Sequence, residues 1–186
     1  GEPFTFLLRA YIPEETAPIR AKRDRVPYMD WHRAGLVRLT PGNVTDHEAI
    51  AASISADADV FEVVSLQYDP WQATAMAISL TERGMACHEF RQTVTKFNEP
   101  ITTIEKLLAQ GLLNHGANEV LRWMAGNVVV KYASGLCKFD KDRSREKIDG
   151  LVVMAMCFGG YLQWLADNED SIYNNSDKRE SGFLTI

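Results

Sequence analysis

A run of apolar residues near the C-terminal end constrains the fold of this chain most. From Leu151 to Ala166 only Gln163 is strongly polar. A helix over Ile148–Leu165 is therefore apolar on all sides of its first three turns and has to be buried. Ala155 and Gly159 form a stripe of small residues that lets such a helix approach a sheet closely. The run is shorter than a membrane span, so it predicts a core helix.

A strand–helix–strand unit precedes this helix. Near-continuous apolar residues predict a strand over Val60–Tyr68, covered on both faces, then a helix over Trp71–Arg83 and a strand over Met85–Phe90. A helical connection allows the two strands to run parallel. Val128–Tyr132 and Leu136–Phe139 flank a short turn and predict an antiparallel hairpin. The sequence thus predicts an α/β domain with a mixed sheet flanked by helices.

Shorter elements are predicted around this unit. We expect one domain over residues 1–166 and a polar C-terminal tail over residues 167–186. Thr45 and Glu48 have the spacing of a capping box, which predicts the start of a helix. The other predicted elements are strands over Phe4–Tyr11 and Leu36–Leu39, one or two short helices within Ile12–Ala34, and helices over Glu99–Gln110 and Val120–Met124.

Composition excludes several classes of protein. The 186 residues are 46% hydrophobic, which is enough for one ordinary core. The three cysteines are scattered and include no C-x-x-C pair, so neither a disulfide framework nor a zinc site is indicated, and a reducing cytoplasm fits. No G-x-x-x-x-G-K-[ST] motif occurs, so these residues contain no P-loop motor.

Two basic stretches interrupt a chain whose net charge is −5. Residues 20–33 and residues 131–147 each carry a net charge of +3. A solvated face is the ordinary interpretation of such a stretch. For the second stretch we favour a flexible basic hairpin that binds a DNA backbone without reading its sequence. Its predicted DNA-binding residues are Lys131, Lys138, Lys141, Arg143, Arg145 and Lys147.

Asp69 is the first candidate for chemistry. It directly follows a predicted buried strand and precedes Pro70, where strand pairing ends. Ligand sites of open α/β sheets gather at the carboxyl ends of strands, so a metal ligand here has rigid backbone below it and open space above. The ordinary alternative is that Asp69 only caps the helix that begins at Pro70.

Asp149 is the second candidate. It stands at the start of the apolar helix, where the helix dipole alone favours an acidic residue. Because the rest of that helix has to be buried, the carboxylate is placed near the edge of the sheet and needs a partner. Two carboxylates on separate elements suit Mg²⁺ or Mn²⁺, and two such ions cleave phosphodiesters. We predict that Asp69 and Asp149 are catalytic, metal-binding residues.

Several short motifs resemble one family in order and spacing. They are Tyr68-Asp69-Pro70-Trp71, Glu89-Phe90-Arg91-Gln92, Leu121-Arg122-Trp123-Met124 with Asn127-Val128-Val129-Val130-Lys131, and Glu146-Lys147-Ile148-Asp149-Gly150. They are similar to the C-terminal nuclease region of large terminase subunits from HK97-like tailed bacteriophages. The resemblance implies a ribonuclease H-like fold and a two-metal endonuclease that cuts concatemeric phage DNA during packaging, with Asp69 and Asp149 as metal-binding acids.

The resemblance also implies partners. They are double-stranded DNA, an upstream ATPase domain, the portal protein and the small terminase subunit, with no membrane, in the host cell cytoplasm. The family's pattern places another catalytic aspartate on a first strand ahead of Phe4, and the 186 residues do not include that strand. We expect that residues are missing there and that these residues alone are inactive.

Two other interpretations stay open. One is a docking module that holds the packaging motor against the portal or small terminase without cutting DNA, which the missing strand favours. The other is a different ribonuclease H-like resolvase or hydrolase, which the motifs at residues 89–92 and 121–131 argue against. Metal bound between Asp69 and Asp149 would favour the nuclease over the docking module.

Overall fold

The computed structural model describes residues 3–144 and 146–172, with the backbone alone for Gln72 and residues 169–172. The helices are α1 (Ala17–Asp24), α2 (Tyr28–Arg33), α3 (His47–Ala58), α4 (Pro70–Glu82), α5 (Val94–Ala109), α6 (Glu119–Asn127) and α7 (Asp149–Ile172). The strands are β1 (Phe4–Thr5), β2 (Ala10–Pro13), β3 (Val37–Thr40), β4 (Leu66–Tyr68), β5 (Cys87–Glu89), β6 (Leu113–Asn114), β7 (Val130–Ala133) and β8 (Leu136–Phe139).

The strands of this described part pair two by two. The pairs β1–β6, β2–β3 and β4–β5 are parallel, and the β7–β8 pair is antiparallel. The predicted mixed α/β class is therefore confirmed, although the described strands form four short ladders and not one continuous sheet. The β4–α4–β5 unit and the β7–β8 hairpin are present as predicted.

The prediction of a long strand over Val60–Tyr68 is wrong for the first half of that segment. Only Leu66–Tyr68 pairs with a neighbour. The amides of Val60 and Phe61 donate to the carbonyl of Asp57 at 3.1 and 2.9 Å, closing the end of α3. Because these amides complete a helix end, they cannot join a ladder, and the Val60 side chain is 75% exposed. Apolar composition alone did not reveal this competition.

Two smaller predictions also need correction. The N-cap of α3 is Asp46 and not Thr45, because the Asp46 carboxylate accepts from the Ala49 amide at 3.0 Å. The strand predicted over Phe4–Tyr11 is divided into β1 and β2, which pair with different partners. The helix predicted to end at Leu165 is longer, since α7 runs to Ile172 and so includes the first residues of the segment predicted as a polar tail. Residues 173–186 of that tail lie outside the described residues.

Helix α7 lies in the largest buried cluster, as its composition predicts. Its residues from Met154 to Phe158 are all buried. The Phe158 ring contacts that of Phe4 on β1 with 5.5 Å between centroids. A Cβ atom on Gly159 would lie 2.3 Å from Cε2 of Phe90, so the small residue permits the predicted close approach. By length and composition Asp149–Asn168 could also cross a membrane, but this burial leads us to interpret α7 as a core helix.

Candidate active site

Asp69 lies between the end of β4 and the start of α4. Its carboxylate Oδ1 accepts a hydrogen bond from the Trp71 amide at 3.0 Å, and Pro70 occupies the first helical position. The capping role considered from the sequence is therefore real. It uses one oxygen of the carboxylate and holds that carboxylate at the C-terminal end of the strand.

The second oxygen of Asp69 is held by Gln92. The Gln92 side-chain amide donates from Nε2 to Asp69 Oδ2 at 2.7 Å. Its Oε1 accepts from Nζ of Lys141, beyond the hairpin, at 2.8 Å. Residues Tyr68 and Glu89 are partners in the parallel β4–β5 ladder, so the segments that follow both strands leave the same edge. Gln92 thus connects a candidate catalytic carboxylate to the basic segment after β8.

Sequence reasoning included Gln92 in a family motif but gave it no role. The available signal was its place three residues after β5, on the strand next to the one that ends at Asp69. The contact itself joins residues 23 positions apart, and the bond from Lys141 spans 49 positions. A pattern search along the chain does not detect such pairs.

Asp149 is the first residue of α7 and is exposed. It lines a cavity of about 410 Å³ together with Lys147 and residues of β2, α1, α2, β3 and α6. In the described ranges no side chain donates a hydrogen bond to its carboxylate. Its position is set instead by the helix behind it, where Gly150 packs under Met124 and the following turns are buried.

Asp69 directly follows β4 and Asp149 begins α7, and these two elements contact each other. Gly159 and Gly160 of α7 lie against Phe90 and Gln67, which flank the strand ends near Asp69. Gly160 is eleven residues beyond Asp149, which is roughly 16 Å along a helix axis. Asp69 does not line the cavity that Asp149 lines. The shared metal site of Asp69 and Asp149 therefore stays a prediction.

The donor chemistry of these residues fits a hard divalent cation. Both candidates offer carboxylate oxygens, the ligands that Mg²⁺ and Mn²⁺ prefer. Each oxygen of Asp69 accepts one hydrogen bond and retains a second lone pair. Within residues 3–144 and 146–172, no group of three or more His, Cys, Asp or Glu side chains is clustered closely enough to hold a metal. Asp69 and Asp149 are thus candidate ligands without a cluster of further such ligands around them in these residues.

The predicted DNA-binding residues that the structure describes have different surroundings. Lys131 and Lys138 stand opposite each other across the β7–β8 ladder, and both are exposed. Like charges directly opposite on a ladder repel, so this pair favours an anionic partner. Lys141 binds Gln92, while Arg143 forms an ion pair with Asp140 at 3.7 Å. The remaining two are Lys147, which lines the Asp149 cavity, and Arg145, which lies outside the described residues.

The hairpin that carries Lys131 and Lys138 is docked on α5. The Cys137 amide donates to Asn98 Oδ1 at 2.9 Å, and the Tyr132 hydroxyl donates to Glu105 Oε1 at 3.0 Å. The bond to Glu105 raises the pKa of the Tyr132 phenol, so it stays protonated as a donor. Packing of the hairpin against α5 holds the two lysines at a fixed place on the surface.

Comparison with known proteins gives consistent results. Residues 5–164 match the family model described as the terminase large subunit, endonuclease domain. The large terminase subunit of Enterobacteria phage HK97 is 35% identical over 152 residues, which are 80% of this chain and 30% of that protein. Protein YmfN of Escherichia coli strain K12 is 27% identical over 180 residues, which are 93% of this chain and 38% of that protein.

A solved structure agrees with the sequence comparisons. The crystal structure of the HK97 bacteriophage large terminase matches with a TM-score of 0.73 at 34% identity, over 81% of this chain and 32% of that one. The chain therefore spans about a third of the length of the relatives that it matches.

Proposed function

Because the chain belongs to the family of terminase large subunit endonuclease domains, we propose that it is a metal-dependent endonuclease that cuts concatemeric phage DNA during genome packaging. The fold proposed with it is ribonuclease H-like. The mixed α/β architecture and the similarity to the HK97 large terminase support this fold.

The observation that carries the proposal is the environment of Asp69. Strand β4, whose first residue Leu66 is buried, ends at this carboxylate; the helix behind it is capped by Oδ1, and Gln92 fixes Oδ2. A metal ligand held by outer hydrogen bonds is the arrangement that preorganises a site. Asp149 is the proposed second ligand, and it lines a cavity to which Arg20, Arg23 and Lys147 also contribute.

The cofactor proposed is a pair of Mg²⁺ or Mn²⁺ ions held by Asp69 and Asp149. Two bound ions would supply an activated water and stabilise the leaving oxygen of the phosphodiester. The residues of this chain would bind the metal ions and the DNA and orient the metal ligands. Asp69 is kept in one rotamer by Gln92, and the exposed pair Lys131 and Lys138 binds the DNA backbone without reading its sequence.

The larger assembly follows from the same family assignment. We propose an upstream ATPase domain, the portal protein and the small terminase subunit as partners, and action in the cytoplasm of the host cell. In the relatives that the chain matches, this region is about a third of the length, so these partners are proposed from the family and not from the described residues.

Plasmid digestion tests the proposal, using the chain with the segment ahead of Phe4 restored. We expect Asp69→Asn and Asp149→Asn each to lower the rate of Mn²⁺-dependent cleavage by more than about 100-fold, since outer-shell residues alone contribute about 10- to 100-fold. Asp46→Asn is the matched control, because Asp46 caps α3 through the same kind of bond and asparagine caps about as well as aspartate.

Cleavage at the unaltered rate by Asp149→Asn or Asp69→Asn would reject that residue as a metal ligand. A general loss that includes Asp46→Asn would instead indicate that capping, and not chemistry, was measured. Circular dichroism of each variant separates the two.

A docking module is the second candidate, and one observation favours it. Trp71 and Ile78 on α4 are 87% and 56% exposed and lie two turns apart on the helix. Exposed apolar residues on one helix face are typical of a protein-binding surface. If the restored chain binds no Mn²⁺ and cuts no plasmid, while Trp71→Ala weakens its association with the portal or small subunit, docking is the better description.

A further inference from the structure

We propose that the cavity beside Asp149 binds the sugar–phosphate backbone of DNA, with Arg20, Arg23 and Lys147 as its phosphate contacts. We name it the basic cavity. The proposal rests on the proposed nuclease function and adds to it the residues that would bring a DNA strand to Asp149. The hairpin lysines are separate from it.

The basic cavity joins two stretches that are far apart in the sequence. Arg20 and Arg23 come from α1, in the first basic stretch, and Lys147 comes from the end of the second. All three line the same space of about 410 Å³, and Asp149 lies on its wall. A charge run taken alone is usually a solvated face. Convergence of two such runs on one concave surface is not explained by solvation.

Two of these cations are available for a ligand. In the part of the chain that the structure describes, neither Arg20 nor Lys147 forms a salt bridge. Arg23 donates to the Asp24 carboxylate, which also accepts a hydrogen bond from the Tyr28 hydroxyl at 3.4 Å. Asp24 thus orients Arg23, and the negative charge of Asp24 is balanced by Arg23 and by the hydrogen bond from Tyr28.

The titration of the cavity wall is consistent with this charge arrangement. The Arg23 hydrogen bond is the main cause that lowers the pKa of Asp24, and Lys147 contributes to the same direction. Burial, followed by the charge of Asp24, raises the pKa of Tyr28 to about 12. Asp24 is therefore ionised and Tyr28 neutral at physiological pH, so the phenol acts as a hydrogen-bond donor.

The lining of the basic cavity also includes apolar side chains. They are Trp123, Met124, Val120, Ile12 and Val37. Cations and apolar side chains in one lining suit a sugar–phosphate segment, whose charge lies at the phosphate and whose sugar presents carbon atoms. The volume is within the range of small-ligand sites and exceeds that of one phosphate. We therefore choose the backbone of a strand as the occupant, and not a base edge or a free anion.

Binding of a fluorescein-labelled DNA duplex tests the proposal. It is measured by anisotropy in EDTA, between about 50 and 200 mM salt, on the 186-residue chain. Without metal there is no cleavage, so the readout is independent of catalysis. The variants are Arg20→Gln and Lys147→Gln, singly and together, and Lys147→Arg, which keeps the charge.

The matched controls are Lys22→Gln and Arg33→Gln. Lys22 lies on α1 beside Arg23, and Arg33 belongs to the same basic stretch, but neither lines the cavity. Both remove one positive charge from an exposed position, so they reproduce the change in net charge without the proposed contact.

Each lost phosphate contact should make the slope of log K against log salt shallower by about 0.9. A slope change of this size corresponds to about five-fold weaker binding near physiological salt. The double variant should show about twice the change in slope. Lys147→Arg should bind like the unaltered chain, and the two controls should change little.

A double variant that binds like Lys22→Gln overturns the proposal. Weakening confined to Lys131→Gln and Lys138→Gln overturns it too, but leaves the nuclease function intact. Failure of the nuclease function has a different result: the restored chain does not cut plasmid with Mn²⁺ while the basic cavity still binds duplex. If the unaltered chain binds no duplex at all, the proposal for the basic cavity is rejected, and plasmid digestion by the restored chain decides the nuclease function separately.

Discussion

Asp69 and Asp149 are positioned in opposite ways. Both oxygens of Asp69 accept hydrogen bonds, one from the backbone of α4 and one from Gln92. Asp149 is exposed at a cavity rim, and its place follows from the burial of the helix that it begins. The strand-end carboxylate is oriented by local polar contacts, whereas the helix-start carboxylate depends on apolar packing several turns away. Substitutions should therefore distinguish the orientation of the Asp69 carboxylate from the placement of the Asp149 carboxylate.

The largest expected effect is on the orientation of Asp69. Gln92→Leu keeps most of the side-chain volume but removes the donor to Asp69 Oδ2. We expect the Mn²⁺ affinity of the restored chain to fall by about 10- to 100-fold, the range for loss of a ligand's outer hydrogen bond. Isothermal titration calorimetry measures it.

Gln163→Leu is the control for this experiment, because Gln163 donates in the same way to Asp167 at 2.9 Å, and Asp167 is not a proposed metal ligand. Unchanged Mn²⁺ affinity in Gln92→Leu would show that Asp69 is oriented without Gln92. Asp69 would then not differ from Asp149 by its dependence on a polar side-chain contact.

The next effect concerns placement through α7. Gly159→Ala puts a Cβ atom 2.3 Å from the Phe90 ring, which is buried and packed against Phe97 with 5.4 Å between centroids. The ring has little room to move, so we expect the free energy of unfolding to fall by about 1 to 3 kcal/mol. Urea denaturation provides the measurement.

Gly126→Ala serves as its comparison, since a Cβ there meets nothing within 4 Å in α6. Alanine should stabilise that helix by about 0.5 to 1 kcal/mol. Equal stability of Gly159→Ala and the unaltered chain would mean that the close approach of α7 to Phe90 is not required.

The smallest effect separates the capping role of Asp69 from its proposed chemistry. Asp69→Ala should lower the free energy of unfolding by about 1 kcal/mol, because the Trp71 amide loses its acceptor. Asp69→Asn should cost little, since asparagine also caps. Asp149→Ala loses only a dipole contribution of a few tenths of a kcal/mol, which salt screens.

Thermal denaturation at low and high salt distinguishes these cases. A cost for Asp149→Ala that equals that of Asp69→Ala and persists at high salt would contradict the view that Asp149 lacks local polar support.

Local patterns predicted much of the fold. The burial of α7, the β4–α4–β5 unit and the β7–β8 hairpin each follow from a period of apolar residues within one segment, and all are present. The first half of the Val60–Tyr68 strand failed because helix α3 captured the amides of Val60 and Phe61. The periodicity of apolar residues indicates which residues are buried. It does not indicate whether a backbone amide between two elements bonds to the helix end or to the strand ladder.

The sequence by itself determined the two candidate acids, the apolar helix and the two basic stretches, because each is a property of residue type and local spacing. Only the tertiary structure decided that Gln92 joins Asp69 to Lys141, and that Arg20 and Lys147 share a cavity with Asp149. These contacts join residues many positions apart. They depend on how helices and strands pack, and packing is set by the burial of the whole core rather than by any one segment.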